Sequence, residues 1–389
     1  MPIDQNTATE IEGPALACRF QGFERLEEPR VVVDMPTLRG NIERAVDLIG
    51  GRAALHPHVK THKSLEIARL QKTSGAAGFT AAKPYEALML LEAGLGPITL
   101  AYPQISGQTV CALLKAADRP GDVRFIADSD QTVETLSQAA LATGRTASVF
   151  LKLDVGLHRC GVDPQAASTI ALSARIDRDP RLAFEGLLSH AGHAYGAPTP
   201  AAIRAIAARE LSLLQDLRKR LRLSGIDVPK VSIGSTPTIL ANAGFDGIDE
   251  VRPGNYVFLD LTAVRLGIAH RADIALAVAA RIVSANSRYA IANVGSKILS
   301  SDLGAHGTSA TTTFGEAWIN DRVAPLTVAK LSEEHAFLIH SNDCPPVGTA
   351  VLILPNHACP VANLSGGLLA LGEPDAARTI KTEGVLSWS

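Results

Sequence analysis

Apolar and polar positions follow two different textures along this chain. From about residue 36 to 260, short apolar runs recur between longer stretches of helical spacing. The runs are AALHPHVK at 53–60, AGFTAA at 77–82, PITLAYP at 97–103, VRFIADS at 123–129, ASVFLKLDV at 147–155, FEGLLSHAG at 184–192, PKVSIGS at 229–235 and IDEVRPG at 248–254. Between them the pattern shifts to the helical period. In PYEALMLLEAG, Ala87, Leu88, Leu90, Leu91 and Ala93 form one stripe, and Gly94 supplies a C-terminal stop. Eight strand–helix units predict a (β/α)8 TIM-type barrel rather than an open sheet. Functional residues of such barrels gather at the C-terminal ends of the strands, where Lys60, Asp154, Arg159, His190, Ser235 and Arg252 fall.

After residue 262 the texture changes. ALAVAARIVSAN, YAIANVGS, APLTVAKLS, HAFLIH and AVLILPN are short β-rich runs broken by Gly, Pro, Asn and Asp, with no helical stripes between them. The expectation is a barrel over 36–262 and an all-β domain over 263–389. In the segment 1–35, the run PRVVVDM at 29–35 is placed to pair with the second domain. A length of 389 residues suits two cores better than one.

Composition narrows the class. A net charge of −2 gives no reason to expect a nucleic-acid or acidic-membrane partner. No apolar run reaches the ~20 residues of a membrane helix, and MPIDQNTATEIEG lacks the regions of a signal peptide. The five cysteines, at 18, 111, 160, 344 and 359, are odd in number and without framework spacing. Reduced thiols in the cytoplasm are the simpler reading.

Two stretches carry the chemistry. HPHVKTHKS at 56–64 sets Lys60 among His56, His58 and His62, a candidate Schiff-base lysine. PNHAC at 355–359 sets His357 and Cys359 two apart, which on an extended segment puts both side chains on one face. Imidazole with thiolate favours zinc over magnesium or calcium. Two ligands leave positions open for water or substrate, as a catalytic metal site requires.

HPHVKTHKS, LDVGLHRCGV at 153–162, SHAGHAYG at 189–196, SIGSTPT at 232–238, EVRPGNYVF at 250–258, SEEH at 332–335 and PNHAC together resemble one group. It is the D-serine dehydratase / D-threonine aldolase branch of the fold-type III pyridoxal phosphate enzymes, relatives of alanine racemase, and the likeness runs from about residue 28 to the end. The resemblance implies an alanine racemase-like fold, pyridoxal 5′-phosphate, a divalent metal, a homodimer and a small D-amino acid substrate. It makes Lys60 the lysine that links the cofactor, and it sets Arg159 near the cofactor phenolate. It makes SIGSTPT the phosphate loop, with Gly234, Ser235 and Thr236 as donors and Gly254 and Asn255 adding backbone N–H groups. Arg252 matches the arginine that contacts the pyridine nitrogen in alanine racemase, while His190 and Tyr195 stand beside cofactor or substrate. His357 and Cys359 match the branch's metal pair.

Related aldolases carry aspartate where Cys359 stands, so the cysteine leans toward a zinc dehydratase acting on D-serine or 3-hydroxy-D-aspartate. Asn293 and Leu259 depart from the aspartate and aromatic usual in the family, which bears on substrate identity. The alternatives are a D-threonine aldolase, a non-catalytic pyridoxal phosphate carrier and a racemase. A racemase wants a second base, typically a tyrosine of the β domain, and none follows Tyr289.

Overall fold

The computed structural model describes residues 19–242, 244–307, 311–320, 322–341, 343–373 and 377–384. Cys18 and the N-terminal stretch read above for a leader lie outside the described residues. Two compact units emerge. One holds Ile42–Tyr256 and the tail from Thr382; the other holds the segment up to Asn41 and Val257–Lys381. The first division falls inside the helix Met35–Ile49 rather than at 36, and the second at 256/257 rather than 262. The tail is a correction: it was expected in the β domain but belongs to the barrel unit, because Thr382 is buried and Gly384 bonds to the Lys63 carbonyl.

In chain order β1 (Arg30–Asp34) comes first and belongs to the β unit. The barrel follows as β2 (Ala54–Leu55), β3 (Phe79–Ala81), β4 (Ile98–Leu100), β5 (Val123–Ala127), β6 (Ala147–Lys152), β7 (Leu182–Leu188), β8 (Lys230–Ile233) and β9 (Glu250–Val251). All neighbours are parallel, in the order β2-β9-β8-β7-β6-β5-β4-β3, and a parallel bridge between His58 and Thr80 closes the ring. Each strand lies at a predicted run, but shorter, because the last residues of each run are already loop. β5 and β6 are buried at every position, which is why they read as continuous apolar runs. The helix Pro84–Glu92 starts with Pro at its first turn and Glu86 accepting from the Ala82 and Lys83 amides, and it stops at Gly94 with φ +69°.

The barrel interior is not wholly apolar. Arg124 of β5 donates to Glu250 of β9 at 2.5 Å and to His56 Nδ1 at 3.0 Å, and its guanidinium lies over the Phe150 ring. All three polar residues are buried.

The β unit continues as β10 (Leu276–Ala285), β11 (Tyr289–Ala292), β12 (Gly315–Trp318), β13 (Leu326–Leu331), β14 (Ala336–Ile339), β15 (Ala350–Pro355), β16 (Leu368–Leu371) and β17 (Arg378–Ile380). They form one sheet with β1, in the order β11-β14-β13-β12-β15-β10-β1-β16-β17, and β10 also pairs with β11. β1 lies antiparallel to β10 and parallel to β16, burying Val31, Val32 and Val33 as its apolar run predicts. Among the described residues no helix is long and apolar enough to cross a membrane.

Candidate active site

The loop after β2 carries the lysine. The strand ends at Leu55 rather than running to residue 60, and Lys60 sits half-buried in a single 3-10 turn, Val59–Thr61. Its backbone N–H points to His58 Nδ1 at 3.4 Å. His58 reports the surrounding field. Burial, then the nearby charges of Lys60, Arg252 and Arg159, hold its pKa well below the usual imidazole value. Those three cations therefore share one electrostatic neighbourhood.

Each comes from a different strand end. Arg159 is exposed on the loop after β6. Asp154 shapes that loop by accepting from the Gly156 and His158 amides at 3.0 Å and pairing with the His158 ring at 2.9 Å. Arg252 follows β9 and is buried, donating to the Ser232 hydroxyl at 3.0 Å and to the Ser189 carbonyl. Burial pushes it down to about 10 although Glu250 and Glu210 act to raise it.

The phosphate-loop residues also assemble. Gly234 has φ +148°, and a Cβ there would lie 2.7 Å from the Arg252 nitrogen, so glycine alone fits. Its carbonyl accepts from His190 Nδ1 at 2.5 Å, which fixes the proton on that nitrogen. Ser235 caps the short helix Thr236–Leu240. The amide of Gly254 donates to the Thr236 hydroxyl at 3.3 Å. A Cβ on Gly254 would come within 3.0 Å of Thr61 Oγ1, so the two glycines bring the loops of β8, β9 and β2 close together. Tyr195 is half-buried on the turn Gly192–Gly196, and Asn255 is buried at the start of the turn Asn255–Val257.

Two neighbours were not singled out from sequence. Burial pushes Lys152 at the end of β6 down to about 8, with Arg252 and Arg159 among the charges around it. Glu210, wholly buried on the helix Pro200–Leu223, accepts from Ser189 at 2.5 Å and is held above the usual carboxylate range by burial. A charged residue inside FLKLDV was the available signal for Lys152; Glu210 gave none, being one of several charges on a long helix.

In the β unit, β15 runs through Asn356 into the helix Ala358–Leu364. His357 takes the N-cap position with extended backbone, and Cys359 already lies in the helix. The expected shared face of one extended segment is therefore not the geometry. The two side chains meet across a strand-to-helix turn, where they are hydrogen-bonded. Asp302 Oδ2 lies 2.8 Å from His357 Nδ1, so the carboxylate orients the ring and leaves Nε2 as its other nitrogen. The turn is pinned by Asp260, which accepts from the Ala358 and Ala263 amides, and by the Asn356 carbonyl, which accepts from Thr262. Burial lowers the His357 pKa, but Cys359 and Asp302 outweigh it and raise it to about 10. Among the described residues no cluster of three or more His, Cys, Asp or Glu side chains is arranged to hold a metal ion. The donor set is one imidazole and one sulfur with a carboxylate behind them, which fits a divalent ion with open positions. Asn293 spends its side chain on the backbone of Arg281 and Glu27, and Leu259 is buried.

A closed parallel barrel with cations at its strand ends, followed by a β unit, is the architecture of the fold-type III class. Residues 33–262 match the family alanine racemase, N-terminal domain, and the chain belongs to that family. Residues 275–371 match the serine dehydratase domain. Similar proteins include the D-threo-3-hydroxyaspartate dehydratase of Delftia sp. (strain HT23), 31% identical over 86% of this chain and 91% of that one. A metal-free cysteine-to-alanine mutant of a D-threo-3-hydroxyaspartate dehydratase matches in structure with a TM-score of 0.85 at 29% identity, over 92% of this chain and 98% of that one. The D-serine dehydratase of Dictyostelium discoideum is 30% identical (87% and 91% covered), and the D-threonine aldolase of Arthrobacter sp. is 28% identical (89% of each).

The barrel residues fit the family's cofactor. A lysine and two arginines whose charges reach His58 suit an anionic, phosphate-bearing group.

Proposed function

We propose that this protein is a pyridoxal phosphate- and metal-dependent lyase that removes water from a D-β-hydroxy amino acid, giving a 2-oxo acid and ammonia. The observation that carries the reading is the His357–Cys359 pair backed by Asp302, in a chain whose barrel presents Lys60 among arginines. The relatives named as dehydratases of D-threo-3-hydroxyaspartate and D-serine support it.

Pyridoxal phosphate, when bound, supplies an electron sink for charge developing at the substrate's Cα. Lys60 Nζ would hold the cofactor and would serve as the base at the substrate's Cα. Arg252, locked by Ser232 and Ser189, holds a fixed positive charge near His58. His190 is held in one tautomer by Gly234. His357 and Cys359 would hold the divalent ion, zinc by the softness of the donors, and it would supply Lewis-acid help to departing hydroxide. The reading includes a homodimer in the cytoplasm, in keeping with Cys111, Cys160, Cys344 and Cys359 lying outside any disulfide.

The likeness to a D-threonine aldolase favours a second reading, cleavage to glycine and an aldehyde with the same residues. Metal-replete protein given D-serine and 3-hydroxy-D-aspartate decides between them and no activity: a 2-oxo acid with ammonia supports the dehydratase, and the absence of both from every D-β-hydroxy amino acid removes it.

A further inference from the structure

We propose that the strap Thr382–Gly384 positions the loop carrying Lys60, with Glu383 and Gly384 as positioning residues; this rests on reading Lys60 as the cofactor-linking lysine.

The lysine turn is short and ends in an uncommon conformation. The amides of His62 and Lys63 both donate to the Val59 carbonyl, and Lys63 then takes φ +50°, a left-handed value seldom held by a side-chain-bearing residue. The helix Leu65–Thr73 begins at once. Ser64 stands at its N-cap but makes no side-chain cap, and its buried hydroxyl has no hydrogen-bond partner. The first amides of a helix need acceptors, and a carboxylate there also meets the positive end of the helix dipole.

The strap supplies what Ser64 does not. Glu383 Oε2 accepts from the Leu65 amide at 3.1 Å. One residue on, the Gly384 amide donates to the Lys63 carbonyl at 2.8 Å, on the residue with the left-handed backbone. A Cβ on Gly384 would lie 3.0 Å from Lys63 Cβ and 3.2 Å from its carbonyl oxygen, so a larger residue must displace Lys63 by a few tenths of an ångström. Thr382 anchors the strap at 7% exposure. On its other side the Lys63 ammonium reaches Tyr85 Oη at 3.1 Å and Glu86 at 3.5 Å. The segment three residues beyond Lys60 is therefore clamped from both sides, by the helix after β3 and by the strap. With the strap released, the turn has one restraint fewer and the Lys60 amine samples more positions. Cofactor affinity then falls in proportion to the fraction of chains in the competent geometry.

The test uses full-length Glu383→Ala, Glu383→Gln and Gly384→Val. Hydrogen exchange over residues 60–66 is read in cofactor-free protein, and pyridoxal phosphate affinity by titration. Loss of a helix cap predicts exchange faster by about 2- to 30-fold in Glu383→Ala, with cofactor Kd raised in the same range. Glu383→Gln keeps an acceptor oxygen and should recover most of both, a rescue that general destabilisation would not give. Gly384→Val should match or exceed Glu383→Ala. Exchange unchanged within twofold in both Glu383→Ala and Gly384→Val would overturn the proposal, as would faster exchange with unchanged cofactor affinity. Failure of the underlying reading shows separately, as borohydride fixing the cofactor to a lysine other than Lys60 in the wild type.

Discussion

His56 should make this protein acid-sensitive in a way that one substitution removes. Its imidazole is 3% exposed. Burial, opposed by Glu250 and aided by Arg124, Arg252 and Lys230, holds its pKa at about 4. The geometry agrees: Arg124 donates to Nδ1 at 3.0 Å, so that nitrogen must keep its lone pair. The folded pKa lies below the unfolded one. The unfolded chain therefore binds the proton first, and stability is lost as pH falls from about 6.5 through about 4. With those two values the loss between pH 8 and pH 5 is about 2 kcal/mol, approaching about 3 kcal/mol well below pH 4. His56→Asn keeps an oxygen acceptor for Arg124 but cannot titrate. It should carry a constant cost from its smaller side chain and lack this pH-dependent part. Urea unfolding followed by circular dichroism at pH 8, 6 and 5, on cofactor-free protein, measures the difference. Parallel pH profiles for wild type and variant would refute the assignment of His56 as a buried neutral acceptor.

Arg124→Met strands the buried Glu250 carboxylate and should cost about 3–5 kcal/mol in unfolding free energy, with Arg124→Met/Glu250→Gln recovering a substantial part. Purified protein should show the visible absorption of lysine-linked pyridoxal phosphate, and Lys60→Ala should lose it; a band that survives the substitution removes Lys60 from its role. His357→Ala and Cys359→Ala should each lower zinc content and abolish ammonia release while leaving that band, as chelation should, and zinc should restore activity better than magnesium. Full metal content and turnover in either variant would make the pair bystanders.

The barrel was legible because parallel strands buried on both faces leave continuous apolar runs, as at Val123–Ala127 and Ala147–Lys152. Strand ends were less so: the run through His56 and Lys60 reads as strand, but pairing stops at Leu55 and the chain turns. The lysine, the arginines and the glycines of the site sit in contiguous motifs. Their partners do not. Asp302 reaches His357 across 55 residues, and Glu210 reaches Ser189 from a helix whose charges look like a solvated face. The His357–Cys359 spacing suited an extended segment, and nothing local announced that a helix would start between them. Arg124 in VRFIADS and Lys152 in FLKLDV did break apolar runs, but what they face is set by other strands.

The central claim, a lyase eliminating water from D-β-hydroxy amino acids, is tested most directly by product analysis on zinc- and pyridoxal phosphate-loaded protein. D-serine, D-threo-3-hydroxyaspartate, D-threonine and their L-enantiomers are offered in parallel, and keto acid, ammonia and glycine are all measured. With Lys60 as the single base at Cα, proton removal is one-sided, so D-substrates should react and L-enantiomers should not. Keto acid with stoichiometric ammonia from D-serine or D-threo-3-hydroxyaspartate, in excess of glycine from D-threonine, is the predicted result. Rapid glycine release from D-threonine with no ammonia from any D-substrate would contradict it.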